Sequence, residues 1–291
     1  MHPTDFRQLR SPADILGESP VWSEEESSFY WVDIRGPLIR RWTPGRDTTD
    51  AWEAPSLVGC IVPRRSGGLV VGLADRVAYF SPRTGAFSPA FDLPLLTAEQ
   101  RLNDGKCDPQ GRFWVGSMNI VTREPDGRLY RVDPDGTVAI MLEGLAIPNS
   151  LSWNVAGDTM YFSQTRDRRL LRFPFDPATG TIGEPSLIAE IAEPGTPDGA
   201  TVDAEDRLWV AEFGNDRLAR IGMREASLTH IDLPCSCPTS CAFGGHDMRT
   251  LLVTSASVRL SDEERATAPH EGGAFAAEAD APGIPPHLFG T

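Results

Sequence analysis

Apolar residues in this chain come in short bursts separated by turn residues. SFYWVDI, GGLVVGL, GRFWVGSM, TMYFSQ, RLWVAEF and TLLVTSA are six such bursts, and each follows another strand-like stretch across a turn rich in Gly, Asp or Glu. Runs of this length bounded by Gly, Pro and Asp predict β-strands and leave no room for long amphipathic helices. The two-strand unit recurs on one register. Its copies start at Glu18, Gly59, Asn103, Asn149, Asp198 and Ser240, in steps of 41, 44, 46, 49 and 42 residues. A period of about 40 to 50 residues is the mark of propeller blades.

Most units continue with a third strand, as in PLIRRW, RVAYF, GRLYRVD, RRLLRFPF and DRLARIG. Turns such as DPDG and DPATG then lead to a weaker fourth strand, such as TVAIML, SLIAEI or LTHIDL. Four strands per unit and six units predict an all-β fold, a six-bladed β-propeller with four-stranded blades around a central channel, formed by residues 1–291 as a single domain. A β-sandwich would not repeat the same two-strand pattern six times. VRLSDEERATAP reads as one helical turn or a loop, and GGAFAAEA as a late strand that completes the last blade together with the N-terminal end of the chain.

Composition agrees and narrows the function. The 291 residues include 27 Gly and 25 Pro, which excludes a helical bundle, and no apolar run approaches the roughly 20 residues of a membrane-spanning helix. With 27 basic and 41 acidic residues the net charge is -14, so neither nucleic acid nor an anionic membrane is an expected partner. Lys106 is the one lysine, which leaves a single candidate for Schiff-base chemistry and no expected lysine nucleophile. The opening MHPTDFRQLR lacks a secretory core, so a cytoplasmic location with free thiols is expected. Cys235, Cys237 and Cys241 are close in sequence but have no second cluster and no CxxC to make a zinc knuckle.

In a propeller, residues at one place in every repeat form a ring at the channel mouth. Here that ring is Glu18, Gly59, Asn103, Asn149, Asp198 and Ser240. Each alone is an ordinary turn residue. Together they bring two like-charged carboxylates onto one axis, where they repel unless a cation lies between them. An oxygen-only donor set without His or Cys points to Ca²⁺, Mg²⁺ or Mn²⁺, with Zn²⁺ also open.

The stretches LGESPVW, RLNDGKCDPQGRFWVGSM, IPNSLSW, TPDGATVDAEDRLWVA and PTSCAFGG, in this order, resemble the senescence marker protein, gluconolactonase and luciferin-regenerating enzyme family, to which regucalcin belongs. The resemblance implies one divalent metal held by Glu18, Asn149 and Asp198. It also implies Asp198 as general base, Arg101 and Asn103 as substrate clamps, and hydrolysis of a sugar lactone such as gluconolactone or a pentonolactone. The partner would then be a small lactone, and the protein a monomer or small homo-oligomer. The alternatives are the same metal site acting on another ester, a phosphotriester or a heterocycle, or a calcium-binding propeller without catalysis.

Two positions depart from the family pattern. YFSQT carries Gln164 where a carboxylate is common, and WVAEFGN places Glu212 and Phe213 where they are expected near the rim. The chain has no GxSxG elbow, no HExxH and no phosphate loop. His246, in GGHDM, is expected to be a solvated turn residue.

Overall fold

A computed structural model describes residues 5–224 and 226–290, so the expected domain 1–291 extends past them at both ends. Among the described residues the strands form six antiparallel sheets, and their arrangement is a six-bladed β-propeller. The innermost strands of blades 1 to 6 are Gly17–Ser23, Val58–Pro63, Gln100–Cys107, Pro148–Trp153, Thr196–Val202 and Pro238–Gly244. Each is followed outward by the next strand of its own blade, and blades 1, 2, 3 and 5 are plain four-stranded meanders. Blade 4 differs in having two short segments, Thr181–Ile182 and Ser186–Glu190, paired to its third strand. No helix among the described residues is long and apolar enough to cross a membrane; the short helix Asp262–Thr267 sits where one turn was expected and is capped by Ser261 and Glu264.

The ring closes as the sequence suggested. Blade 6 takes three strands from the C-terminal end, Pro238–Gly244, Thr250–Ser255 and Ala274–Glu278, and its outermost strand, Arg7–Gln8, from the N-terminal end. Arg7 pairs with Ala276 and Gln8 with Phe275. The two chain ends are thereby held in one sheet, which removes the free edges an open ring would expose.

The core lies between blades. Six apolar clusters each join one blade to the next; Tyr30, Val32 and Ile39 of blade 1, for example, pack on Ile61, Leu69 and Val71 of blade 2. The tryptophans at 22, 31, 114, 153 and 209 are all buried in these clusters. Burial falls off outward: the inner strand of blade 1 is buried throughout, whereas its outermost strand, Thr49–Glu53, is not.

A repeated polar device ties the inner hairpins. In blade 3, Asp108 accepts from Trp114 Nε1 at 3.0 Å and pairs with Arg112 at 3.0 Å. In blade 5, Asp203 accepts from Trp209 Nε1 at 2.8 Å and pairs with Arg207 at 2.7 Å. Blade 1 builds the same group from a preceding loop, with Asp14 taking Trp31 Nε1 and Arg40. Each aspartate is fully or almost fully buried, so it satisfies a buried indole N–H and one edge of a guanidinium. Replacing Asp203 by Ala leaves both donors without their acceptor. We expect a loss of about 3 to 5 kcal/mol in denaturant unfolding, and a loss under about 1 kcal/mol would refute this role.

Candidate active site at the channel mouth

Every inner strand loses register with its neighbour at one level. The shifts fall between Glu18 and Val21, Val58 and Cys60, Leu102 and Gly105, Asn149 and Ser152, Pro197 and Ala200, and Pro238 and Ser240. A bulge inserts a residue and re-aims the side chains beside it. Ser19 and Ser150, which follow Glu18 and Asn149, are buried with φ of 51° and 60°, in a region that favours glycine. The backbone is held there by bonds such as Ile61 N to Ser19 Oγ at 3.0 Å and Ser150 Oγ to Ser163 Oγ at 2.8 Å.

The bulges aim four of the predicted ring residues into one cleft of about 330 Å³: Glu18, Asn103, Asn149 and Asp198. Arg101 lines the same cleft, so all five residues singled out from the sequence come together. Gly59 contributes no side chain, and its own requirement is steric, because a Cβ there would stand 2.2 Å from the Leu102 carbonyl oxygen of the next blade. Ser240 departs from the expected ring. It lines a smaller cavity of about 60 Å³ lower in the channel, together with Asp104, Lys106 and His287.

The network around Asn149 is directional. Asn103 Nδ2 donates to Asn149 Oδ1 at 3.0 Å and to the Pro148 carbonyl at 2.9 Å. Asn149 Nδ2 donates to Thr165 Oγ1 at 2.7 Å, and Thr165 in turn donates to the Pro197 carbonyl at 3.1 Å. This orients the amide so that Asn149 presents its oxygen toward the cleft side of the pair. Arg101 Nη1 donates to Asn103 Oδ1 at 2.7 Å and to the Leu102 carbonyl at 2.8 Å, leaving the rest of its fork for the cleft.

Glu18 and Asp198 are both buried and close enough that each perturbs the other's carboxyl. Burial and the neighbouring charges of Asp198 and Asp104 push the Glu18 carboxyl well above its ordinary value. Asp198 is raised too, by burial first and then by Asp104, while Glu18 and Arg101 oppose the shift. Two such groups take a proton between them or take a cation. Asp104 makes no third member of the donor set. It accepts from Leu151 N at 2.9 Å and lines the lower cavity, and among the described residues no three of His, Cys, Asp and Glu cluster around a metal position. The set that fits a hard cation is therefore two carboxylates and one amide oxygen.

The departures from the family pattern resolve locally. Gln164 supports the rim from behind, its Oε1 accepting from Ala146 N at 2.8 Å. Glu212, expected near the rim, is instead 1% exposed and pairs with Arg217 at 2.8 Å, Asn215 at 2.7 Å and His230 at 3.3 Å. Strand alternation is the reason: Phe213 lines the cleft, so its neighbour faces the other way. His246 is exposed and the five cysteines are buried free thiols, as expected. Sequence reasoning missed Thr165 and Asp104; the latter stood beside a predicted clamp in RLNDG, and the bulge is what separates the two.

Comparison with known proteins bears on this site. Residues 16–257 match the family model described as the SMP-30/Gluconolactonase/LRE-like region. The chain is 34% identical over 283 residues to 6-deoxy-6-sulfogluconolactonase of Pseudomonas putida, covering 97% of each. It is 33% identical over 276 residues to L-arabinolactonase of Azospirillum brasilense, covering 93% of this chain and 90% of that one. Among solved structures it superposes on a calcium-binding protein, regucalcin, of Agrobacterium tumefaciens with a TM-score of 0.92 at 26% identity, covering 98% and 97%.

Above the pH at which it gives up its shared proton, the buried Glu18–Asp198 pair is like-charged and destabilises the cation-free protein. Asp198→Asn keeps the shape and removes the repulsion, so at such a pH and with chelator present we expect its melting temperature to rise by about 2–4 °C. A lower melting temperature than the parent's would refute the repulsion.

Proposed function

The chain belongs to the SMP-30/gluconolactonase/LRE-like family, and from that premise we propose that it is an ester hydrolase that opens a sugar lactone, with a divalent cation held by Glu18, Asn149 and Asp198. The observation that carries this reading is the buried Glu18–Asp198 pair lining, together with Asn149, one cleft of small-molecule size. The lactonase names of its relatives support the reaction class. The calcium-binding name of the regucalcin supports a cation, with Ca²⁺, Zn²⁺, Mg²⁺ and Mn²⁺ all compatible with the donors.

A lactone is an internal ester. Opening it adds water across the acyl carbon to ring oxygen bond and yields a hydroxy acid. When bound, a divalent cation polarises the carbonyl and acidifies water. Asp198 is the general base: it removes a proton from the attacking water and returns it to the ring oxygen as that bond breaks. Burial and like charge, which raise its affinity for that proton, suit it to both halves of the transfer. Arg101 and Asn103 bind the ring substituents, and because each is already fixed by the other, little ordering remains when substrate arrives. Thr165 accepts from Asn149 Nδ2 and so fixes which way round that amide stands, its oxygen on the Asn103 side.

Proton release from gluconolactone and pentonolactones, followed with and without chelator, tests the proposal. We expect chelator-sensitive hydrolysis that Asp198→Ala lowers by about 10³-fold or more while the fold persists. Turnover that ignores chelator, or an active Asp198→Ala, would sink the mechanism.

The raised carboxyls also set a pH dependence. Without the cation the pair retains a proton into the neutral range, so cation binding must expel it. Affinity is therefore expected to fall as pH is lowered, by up to about tenfold per pH unit for each proton displaced. Calorimetric titration at pH 6 and pH 8 in buffers of different ionisation enthalpy reads both quantities; pH-independent affinity would contradict the shared proton.

A further inference from the structure

The cleft carries more positive charge than the hydrolysis of a neutral lactone requires. Two acids line it, Glu18 and Asp198, both in its floor, against three arginines, Arg35, Arg101 and Arg123. The arginines come from separate places: Arg35 just after the second strand of blade 1, Arg101 on the inner strand of blade 3, and Arg123 in the loop after the second strand of blade 3. None of the three forms an ion pair among the described residues, a state other arginines share, and what sets these apart is that they gather on one cleft. In a chain of net charge -14 that cleft is lined by more arginines than acids.

The floor acids answer Arg101 alone: Glu18 and Asp198 both act on its charge. Arg35 and Arg123 line the same cleft with no ion-pair partner among the described residues. Arg35 lies near enough to Arg101 to oppose its charge, and Arg101 is itself buried. Sugar hydroxyls would accept hydrogen bonds from these groups but bring no charge. An oxyanion substituent would bring both, and the planar guanidinium fork suits carboxylate, sulfonate and phosphate alike. Arg35 and Arg123 are exposed at the rim, so they are placed to meet the end of a ligand whose ring sits deeper, beside Arg101.

We propose that the substrate is an anionic lactone, carrying a carboxylate, sulfonate or phosphate remote from the ring carbonyl, and that Arg35 and Arg123 hold this group at the rim while Arg101 serves the ring. This rests on the lactonase reading and specifies its substrate class.

The test compares kcat/KM of the cation-loaded protein for gluconolactone, D-glucaro-1,4-lactone and 6-phosphogluconolactone. At least one charged lactone is expected to exceed the neutral one by about tenfold or more, mainly through KM, and the two charged arms tell carboxylate from phosphate. In the double variant Arg35→Gln, Arg123→Gln the ratio of charged to neutral kcat/KM falls toward one, and high salt moves the parent protein the same way. Equal kcat/KM for all three lactones, or a ratio the double variant leaves untouched, overturns the proposal. Calorimetric titration with the ring-opened acids gluconate and glucarate decides the subsite without turnover. If no lactone is hydrolysed the activity reading fails, yet tighter glucarate binding that depends on Arg35 and Arg123 upholds the anion site, and equal binding of the two acids removes it.

Discussion

Six inner strands meeting around one axis crowd each other, and the bulge that each strand carries at the same level is how the ring accommodates this. Regular pleating would send alternate side chains toward the neighbouring blades, with nothing aimed at the mouth. The bulge breaks the alternation once per blade, and in four of the six blades a ring side chain reaches the cleft there. Close approach is the accompanying condition. At Gly59 the Leu102 carbonyl of blade 3 occupies the space of a side chain, and at Gly199 a Cβ would stand 2.1 Å from Ser240 Oγ. The functional residues lie beside these contacts because the same crowding places them there.

From this geometry follows the electrostatic character of the site. Glu18 and Asp198 come from blades 1 and 5 and are far apart in sequence, so neither local propensity nor burial of apolar area favours their meeting. The fold holds them together through its six inter-blade clusters, whose aromatic contacts do not depend on the floor of the cleft. The other residues of the site are arranged differently. Arg101, Asn103, Asn149 and Thr165 satisfy one another across blades 3 and 4 and reach the Pro197 carbonyl of blade 5. The site thus has a rigid half, made of two amides, a hydroxyl and a guanidinium, and a strained half, made of two carboxyls. The proposed cation would relieve the strained half and touch the rigid one only through Asn149.

The repeat was legible in the sequence because it is a backbone property: apolar bursts and turns recur on a period whatever their side chains do. The closing of blade 6 by the N-terminal strand was legible too, since GGAFAAEA lacked a partner of its own. Glu18, Asn103, Asn149 and Asp198 were found from register, and Arg101 from resemblance. What register could not supply was direction at the bulge. Asn103 and Asp104 are adjacent, yet one lines the mouth and the other the lower cavity, and Ser240 followed the second course. Glu212 looked like a rim residue and is a buried anchor because alternation had resumed by its strand. The pairing of Asp108 with Arg112 and Trp114, and of Asp203 with Arg207 and Trp209, was written in the chain as DPQGRFW and DAEDRLW, and only its repetition would have exposed it. Arg35 and Arg123 obey no period at all, since inter-strand loops are where blades are free to differ.

The two electrostatic features of the molecule act at different ranges. A net charge of -14 spread over the surface repels an anion at a distance, but in physiological salt that repulsion is screened over about 8 Å. Inside the cleft the low-dielectric walls reduce screening, and there the balance is reversed, with three guanidiniums against two floor acids whose charge falls on Arg101. Long-range charge therefore does little to draw a charged sugar in, and short-range charge does much to keep it. Such a division suits selection among small, diffusible sugar acids and their lactones, which encounter the mouth often and differ chiefly in what their far end can offer to Arg35 and Arg123.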